Sequence, residues 1–233
     1  MKRILLLSIS LALVFAGLKA QEDFTAPDMA VIEQVTKDAS SPFYFDRLME
    51  KYLNGDAELS IEESRHLYYG YVFQPGYVPT DTSSYNNRLA EVLSRNSFSA
   101  SDYADIVLYS DELLKEDPFN LRALNAKMLV YAQQDKSEEY KKVARQRRVV
   151  QDAIISTGDG MSENSAYYVI KVAHEYDILP FLGFSFASED KKLLKNKTVN
   201  SLSLGQNKFG IDKIYFNISP IIDYVSNHGG GIF

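Results

Sequence analysis

From Asp28 to about Ser156, apolar residues recur every three or four positions, which is the spacing of one face of an α-helix. A segment after Pro42 carries such a stripe, and Ser60 with Glu63 forms a capping box that begins the next helix. A second helical pair spans about 85–115. A third spans about 118–155, with Asp117 as its expected N-cap and Pro118 in its first turn. Helical hairpins are therefore predicted throughout this region.

The second and third helical pairs are offset by 34 residues, since Tyr85 corresponds to Phe119 and Asn86 to Asn120. This offset is the length of a tetratricopeptide repeat, in which helix-turn-helix units stack on one another. An irregular helical bundle is the alternative interpretation. Both arrangements produce stacked helical hairpins.

After Ser156 the periodicity changes from helical to alternating. Apolar residues alternate within 166–172, 197–204 and 214–218, which predicts short antiparallel strands, with short helices between them. Gly158 is expected to end the preceding helix in a left-handed conformation, and 229–231 to form a frayed tail. The sequence thus predicts an α+β fold, with a helical hairpin region over 21–156 and a small α+β region over 157–233 packed on it as one unit.

The first twenty residues have the layout of a secretory signal peptide. Lys2 and Arg3 precede 15 residues without charge, and Ala20 supplies a small residue before the polar Gln21. A membrane-spanning helix needs about 20 apolar residues, more than this run or any later segment provides. We therefore expect cleavage near Ala20 and a mature chain that is periplasmic or secreted, with no membrane span.

The composition restricts the chemistry that this protein performs. The chain has no Cys, which excludes disulfides, zinc–thiolate sites, iron–sulfur clusters and cysteine nucleophiles. An exported chain without Cys is typical of a bacterial periplasm. The formal net charge of −6 disfavours general binding to nucleic acid, because the phosphate backbone attracts basic surfaces. No cofactor is predicted.

Histidine chemistry is restricted to three positions, namely His66, His174 and His228. His174 and Glu175 begin like a zinc-protease signature, but Ile178 stands where the second His is required. No metal site and no catalytic residue are therefore assigned. His174 is expected at the end of a strand, so His174, Glu175 and Asp159 are candidate ligand-binding residues. A core histidine bonded to a backbone carbonyl is the alternative.

Aromatic residues are concentrated between positions 68 and 77. Tyr69, Phe73 and Tyr77 do not all fit the buried stripe of their helix, and exposed aromatic rings favour contact with a partner or a glycan. These three residues are therefore further candidates for ligand binding. A repacked core between two helical pairs is the alternative.

Three sequence blocks carry a resemblance to a known family. They are His66–Tyr77, the segment 157–176 with its Thr-Gly-Asp-Gly and His-Glu-Tyr motifs, and Ile211–Ile218. Together they resemble the exported Bacteroidetes proteins grouped as domain of unknown function 4919, over most of the chain after the leader. The resemblance implies a periplasmic or secreted setting. It implies no activity, so no catalytic residue is carried over.

Two functional hypotheses follow from these features. The first is a non-enzymatic protein of the periplasm or cell surface, whose hairpins present a groove to a protein, peptide or glycan of the cell envelope. The second is a small periplasmic hydrolase that uses His174 or His228 with nearby carboxylates. Convergence of His174, Glu175 and Asp159 in one concave site would favour the second.

Overall fold

The computed structural model describes residues 24–55, 58–80, 83–187, 192–193 and 198–228 of the chain. The expected signal peptide and the glycine-rich tail lie outside these residues. The helices are α1 (Met29–Lys37), α2 (Phe45–Asn54), α3 (Ile61–Gly70), α4 (Ser84–Leu93), α5 (Ala100–Glu116), α6 (Leu121–Gln133), α7 (Ser137–Ile155), α8 (His174–Asp177) and α9 (Ser219–His228). The strands are β1 (Tyr167–Tyr168), β2 (Lys192–Leu193), β3 (Val199–Ser203) and β4 (Lys213–Asn217).

The predicted α+β fold, with helices before a small sheet, is confirmed. The strand order is β1-β4-β3-β2, and β2, β3 and β4 are antiparallel as expected. The antiparallel prediction is wrong for β1, because Tyr167 and Tyr168 pair in parallel with Phe216 and Asn217. A long connection through α8 and the other two strands separates β1 from β4, and such connections allow parallel pairing where a tight hairpin does not.

Strand β1 is much shorter than the apolar run 166–172 predicts. The Val169 amide still donates to the Asn217 carbonyl at 3.1 Å, but the chain then turns, and His174 begins α8 instead of ending a strand. Val169 and Ile170 are both fully buried although they are neighbours. The core covers this segment on both sides, so apolar alternation does not report its conformation.

Several helices begin at residues whose side chains cap them, and the predicted N-cap is wrong for α6. The Ser60 and Glu63 capping box is present, with Ser60 N donating to Glu63 Oε2 at 2.9 Å. At α6, however, Asn120 is the N-cap and accepts from Ala123 N at 2.9 Å. Asp117 therefore precedes the helix, and its carboxylate is used elsewhere. Helix α4 begins at Ser84 and α6 at Leu121, and tetratricopeptide-like stacking stays a prediction.

The turn that joins the two regions depends on two glycines. Gly158 is not left-handed as predicted; the positive φ, +69°, belongs to Gly160. Gly158 is required by close approach, because a Cβ atom there would lie 2.1 Å from the Ser165 carbonyl oxygen. The chain thus folds tightly on itself between α7 and β1.

One hydrophobic cluster contains residues from both sides of position 156. Tyr68 and Phe119 of the helical part pack in it with Phe216 and Ile221 of the C-terminal part. A second cluster lies among α4, α5 and α6. Within the described ranges, every helix falls short of the length and apolar character that a bilayer-spanning helix requires.

Candidate functional site

His174 lies in the core at the start of α8, with 1% of its surface exposed. Its Nδ1 is 2.7 Å from the Tyr68 hydroxyl oxygen, and its Nε2 is 3.1 Å from the Phe119 carbonyl oxygen. Since a carbonyl only accepts, Nε2 carries the proton there. The Tyr68 hydroxyl accepts from Ile170 N and donates to Nδ1. These partners fit a neutral imidazole that joins α3, α8 and the segment before α6.

Glu175 is also buried, but it contacts a different element from His174. Asn200 of β3 places its Nδ2 atom 3.0 Å from each carboxylate oxygen of Glu175. This amide–carboxylate contact holds α8 against the sheet. His174 and Glu175 therefore contact different neighbours of α8 inside the core.

Asp159 belongs to the turn that precedes β1. Its Oδ1 atom accepts from Met161 N at 2.9 Å and from the Ser165 hydroxyl at 2.5 Å. These bonds close the turn around Gly160. The described contacts of Asp159 are separate from those of His174 and Glu175, so they give no acid–base group of the kind that the hydrolase hypothesis expects.

Tyr69 and Tyr77 are buried, although the three aromatic candidates do not all fit one helical stripe. The Tyr69 hydroxyl donates to the Tyr168 carbonyl at 3.0 Å, and the Tyr77 hydroxyl donates to the Ile170 carbonyl. Tyr69 and Tyr77 thus join α3 and the turn after it to β1 and the segment that follows, whereas the alternative placed them between two helical pairs. Phe73 is half-buried and borders an open cleft.

A buried ion pair lies at the same junction and was missed by sequence reasoning. Lys171 Nζ is 3.1 Å from Asp117 Oδ2, with the side chains 4% and 9% exposed. The ammonium also lies 6.0 Å from the Tyr71 ring and 5.9 Å from the Tyr77 ring. Burial raises the pKa of Asp117, and Lys171 opposes this shift. The available signal was a lone Lys inside the apolar run 166–172.

The space beside this ion pair is too small for a ligand of ordinary size. The adjoining cavity has a volume of about 60 Å³. Ligand sites usually enclose about 300–1,000 Å³. The ion pair therefore joins α5 to the segment after β1 as a structural contact.

A larger cleft lies between α1, the turn 71–75 and α9, and we name it the α1–α9 cleft. Its volume is about 530 Å³, which is in the range of small-molecule sites. Its walls include Glu33, Lys37, Phe73, Asp223, Tyr224 and His228. Both charged and aromatic side chains are thus available to a ligand.

Helix α9 is fixed against the turn by Tyr224. The Tyr224 hydroxyl donates to the Tyr77 carbonyl at 3.0 Å, and the two rings meet edge to face at 4.6 Å. The His228 ring stacks on Tyr224 at 4.1 Å, and its Nδ1 lies 2.8 Å from the Tyr224 carbonyl oxygen. These contacts give the α9 wall of the cleft a defined side-chain geometry.

A second concave surface runs along α2, α5, α6 and α7, and we name it the hairpin groove. Its volume is about 1,000 Å³. Leu53 and Leu108 line it while being 50% and 52% exposed. Its charged residues include the pair of Lys127 with Asp111, at 2.5 Å. The groove therefore combines exposed apolar contacts with charges of both signs.

Within the residues that the structure describes, no three His, Asp or Glu side chains are grouped so that they could hold a metal ion.

The fold is that of an α+β protein in which helical hairpins precede a small mixed sheet, with His174 and Glu175 held inside the core. The family model described as "Domain of unknown function (DUF4919)" matches residues 30–227, and the chain belongs to this family. The matched range includes all three sequence blocks that carry the resemblance. No curated protein and no solved structure matches the chain.

Proposed function

We propose that this protein is an exported, non-enzymatic binding protein of the bacterial periplasm or cell surface, which holds a peptide segment of an envelope partner in the hairpin groove. The observation that carries the proposal is the exposure of Leu53 and Leu108 inside this concave surface. Apolar side chains that share an open groove favour a partner that covers them.

The chemistry of the groove fits a peptide. Leucine side chains in the groove bind the apolar side chains of a partner, and helical grooves commonly accept peptides in this way. The charged residues of both signs, such as Lys127 and Asp111, offer partners to a peptide's own charges and main chain. A groove of about 1,000 Å³ accommodates several residues of such a segment.

The placement of His174 and Glu175 favours binding over hydrolysis. Both residues are buried and hydrogen-bonded to protein groups, to Tyr68 and Phe119 in one case and to Asn200 in the other. A general base must reach the proton that it removes from a substrate. In this arrangement, a substrate would first have to displace the core contacts of either residue.

Selection from a library of synthetic peptides tests the groove directly. Replacing both Leu53 and Leu108 with Ser should weaken the binding of a selected peptide by about tenfold or more, because two apolar contacts are lost. The matched control replaces Val31 and Ile61, which are 49% and 56% exposed and lie outside the groove. Calorimetric titration measures both affinities. Equal effects of the two double substitutions, or no effect of either, would contradict the proposal.

The export part of the proposal is tested by the N-terminus of the mature protein. The first twenty residues have the layout of a signal peptide, so the exported protein should begin at Gln21. N-terminal sequencing or intact mass of protein from the envelope fraction measures this. A mature protein that retains Lys2 would contradict it.

A further inference from the structure

Several hydrogen-bond acceptors line the α1–α9 cleft beside the donor groups of Lys37 and Asn227. Glu33 and Asp223 contribute carboxylates, which only accept when ionised. Gln74 donates one Nε2 hydrogen to the Gly70 carbonyl at 3.4 Å, and its Oε1 atom can accept a hydrogen bond from a ligand. His228 Nδ1 donates to the Tyr224 carbonyl, so Nε2 carries the lone pair of the neutral ring. These acceptors favour a ligand that supplies donors.

One position in this cleft already contains an ammonium group of the protein itself. Lys37 Nζ lies 2.5 Å from Glu33 Oε1 and 5.8 Å from the centre of the Phe73 ring. A carboxylate and an aromatic face together stabilise a cation. The Lys37 side chain is 57% exposed, so it can move into solvent and release this position.

We infer that the α1–α9 cleft is a binding site for alkyl ammonium ligands, which exchange with Lys37 for the position between Glu33 and Phe73. Asp223 supplies a second carboxylate to a ligand with two cationic groups. The net charge of −6 attracts such ligands over a distance. The inference goes beyond the hairpin groove and does not depend on it.

Two ligands of equal length distinguish charge from shape. We expect 1,5-diaminopentane to bind in calorimetric titration, with an affinity that falls as salt is added, because exposed charges are screened. The neutral 1,5-pentanediol should not bind. A lysine capped at both ends tests whether the ammonium comes from a protein side chain or from a free amine. Binding of either ammonium probe supports the inference, and tighter binding identifies its source.

Substitution of Lys37 should raise the affinity for the diamine, whereas most substitutions in a binding site lower it. Lys37→Met removes the internal competitor, so diamine affinity should rise severalfold although a wall of the cleft has changed. Lys51→Met is the matched control, because Lys51 forms a similar exposed pair with Glu63 at 2.7 Å, away from the cleft. Its effect on diamine affinity should be small.

The cation position itself is tested by Glu33→Gln and Phe73→Leu. Phe73→Leu removes the aromatic face and should lower the diamine affinity about two- to fivefold. Glu33→Gln removes the carboxylate charge and should lower it more. Melting temperatures confirm that each variant is folded. The inference is overturned if neither ammonium probe binds, if the diol binds as well as the diamine, or if Lys37→Met and Lys51→Met raise the affinity equally.

Discussion

Lys171 and Asp117 face each other inside the core, where an unpaired charge is costly. Either Lys171→Met or Asp117→Asn alone should lower the free energy of unfolding by about 3–5 kcal/mol, because one charge or dipole is left without its partner. The double variant should recover part of this loss. Urea unfolding of all four proteins forms a double-mutant cycle. Single variants that each cost less than about 1 kcal/mol would show that the pair is not energetically coupled to folding.

His174 makes a comparable contribution through neutral hydrogen bonds. His174→Ala leaves the Phe119 carbonyl and the Tyr68 hydroxyl without this partner and opens a cavity, so it should cost about 3 kcal/mol. His174→Gln retains a donor and an acceptor and should cost less. The exposed His228 is the control, and His228→Ala should cost less than about 1 kcal/mol. If His174→Ala retained full stability while peptide binding disappeared, the residue would belong to a binding site and not to the core.

The turn between α7 and β1 determines how the sheet meets the helices, and Gly158 is its tightest point. Gly158→Ala should lower the free energy of unfolding by about 1–3 kcal/mol, because the new Cβ atom overlaps the Ser165 carbonyl. Gly76→Ala is the control, since the nearest atom to its Cβ, the Tyr71 hydroxyl oxygen, lies 4.0 Å away. Thermal unfolding compares the two. Equal melting temperatures would mean that the turn relaxes without cost.

The helices were largely predictable because their signals are local. Helix α7 ends at Ile155, where the sequence places the end of the third helical pair, and the capping box at Ser60 is present. The segment around His174 was predicted wrongly as the end of a strand, because the core covers this apolar run on both sides and its alternation does not mark a strand there. Helix α9 was missed as well, since its apolar residues follow directly on the alternating residues of β4.

The candidate sites were less predictable than the helices, because tertiary structure assembles them. Lys171 meets Asp117 across 54 positions of sequence, and neither residue type by itself indicates an ion pair. The α1–α9 cleft joins residues from both ends of the described chain; of these, Phe73 was a sequence candidate for ligand binding and His228 one for hydrolysis. Periodicity identifies which residues face inward along one element. It does not identify which elements meet.

Buried phenols make the whole molecule sensitive to alkaline pH. Burial raises the pKa of five tyrosines above the ordinary range, namely Tyr52, Tyr68, Tyr69, Tyr71 and Tyr77. The unfolded chain loses these protons near pH 10, whereas the folded protein keeps them. Since the unfolded state then binds fewer protons, the free energy of unfolding should fall as pH rises above about 10.

Tyrosinate absorbance measures the ionisation of the tyrosines without interference from tryptophan, because the chain has 16 Tyr and no Trp. We expect the five buried tyrosines named above to titrate only together with the loss of helical circular dichroism. A single titration of all tyrosines with full helix content retained would contradict the prediction.

The bond from Tyr224 to the Tyr77 carbonyl joins positions 147 residues apart. During synthesis, residue 224 leaves the ribosome long after the helices that it packs against. Contacts over such sequence separations form late and slow the folding of a chain. The contact between α9 and the Tyr77 carbonyl can therefore form only after residue 224 has been released, so this part of the core is completed later than the packing among the N-terminal helices.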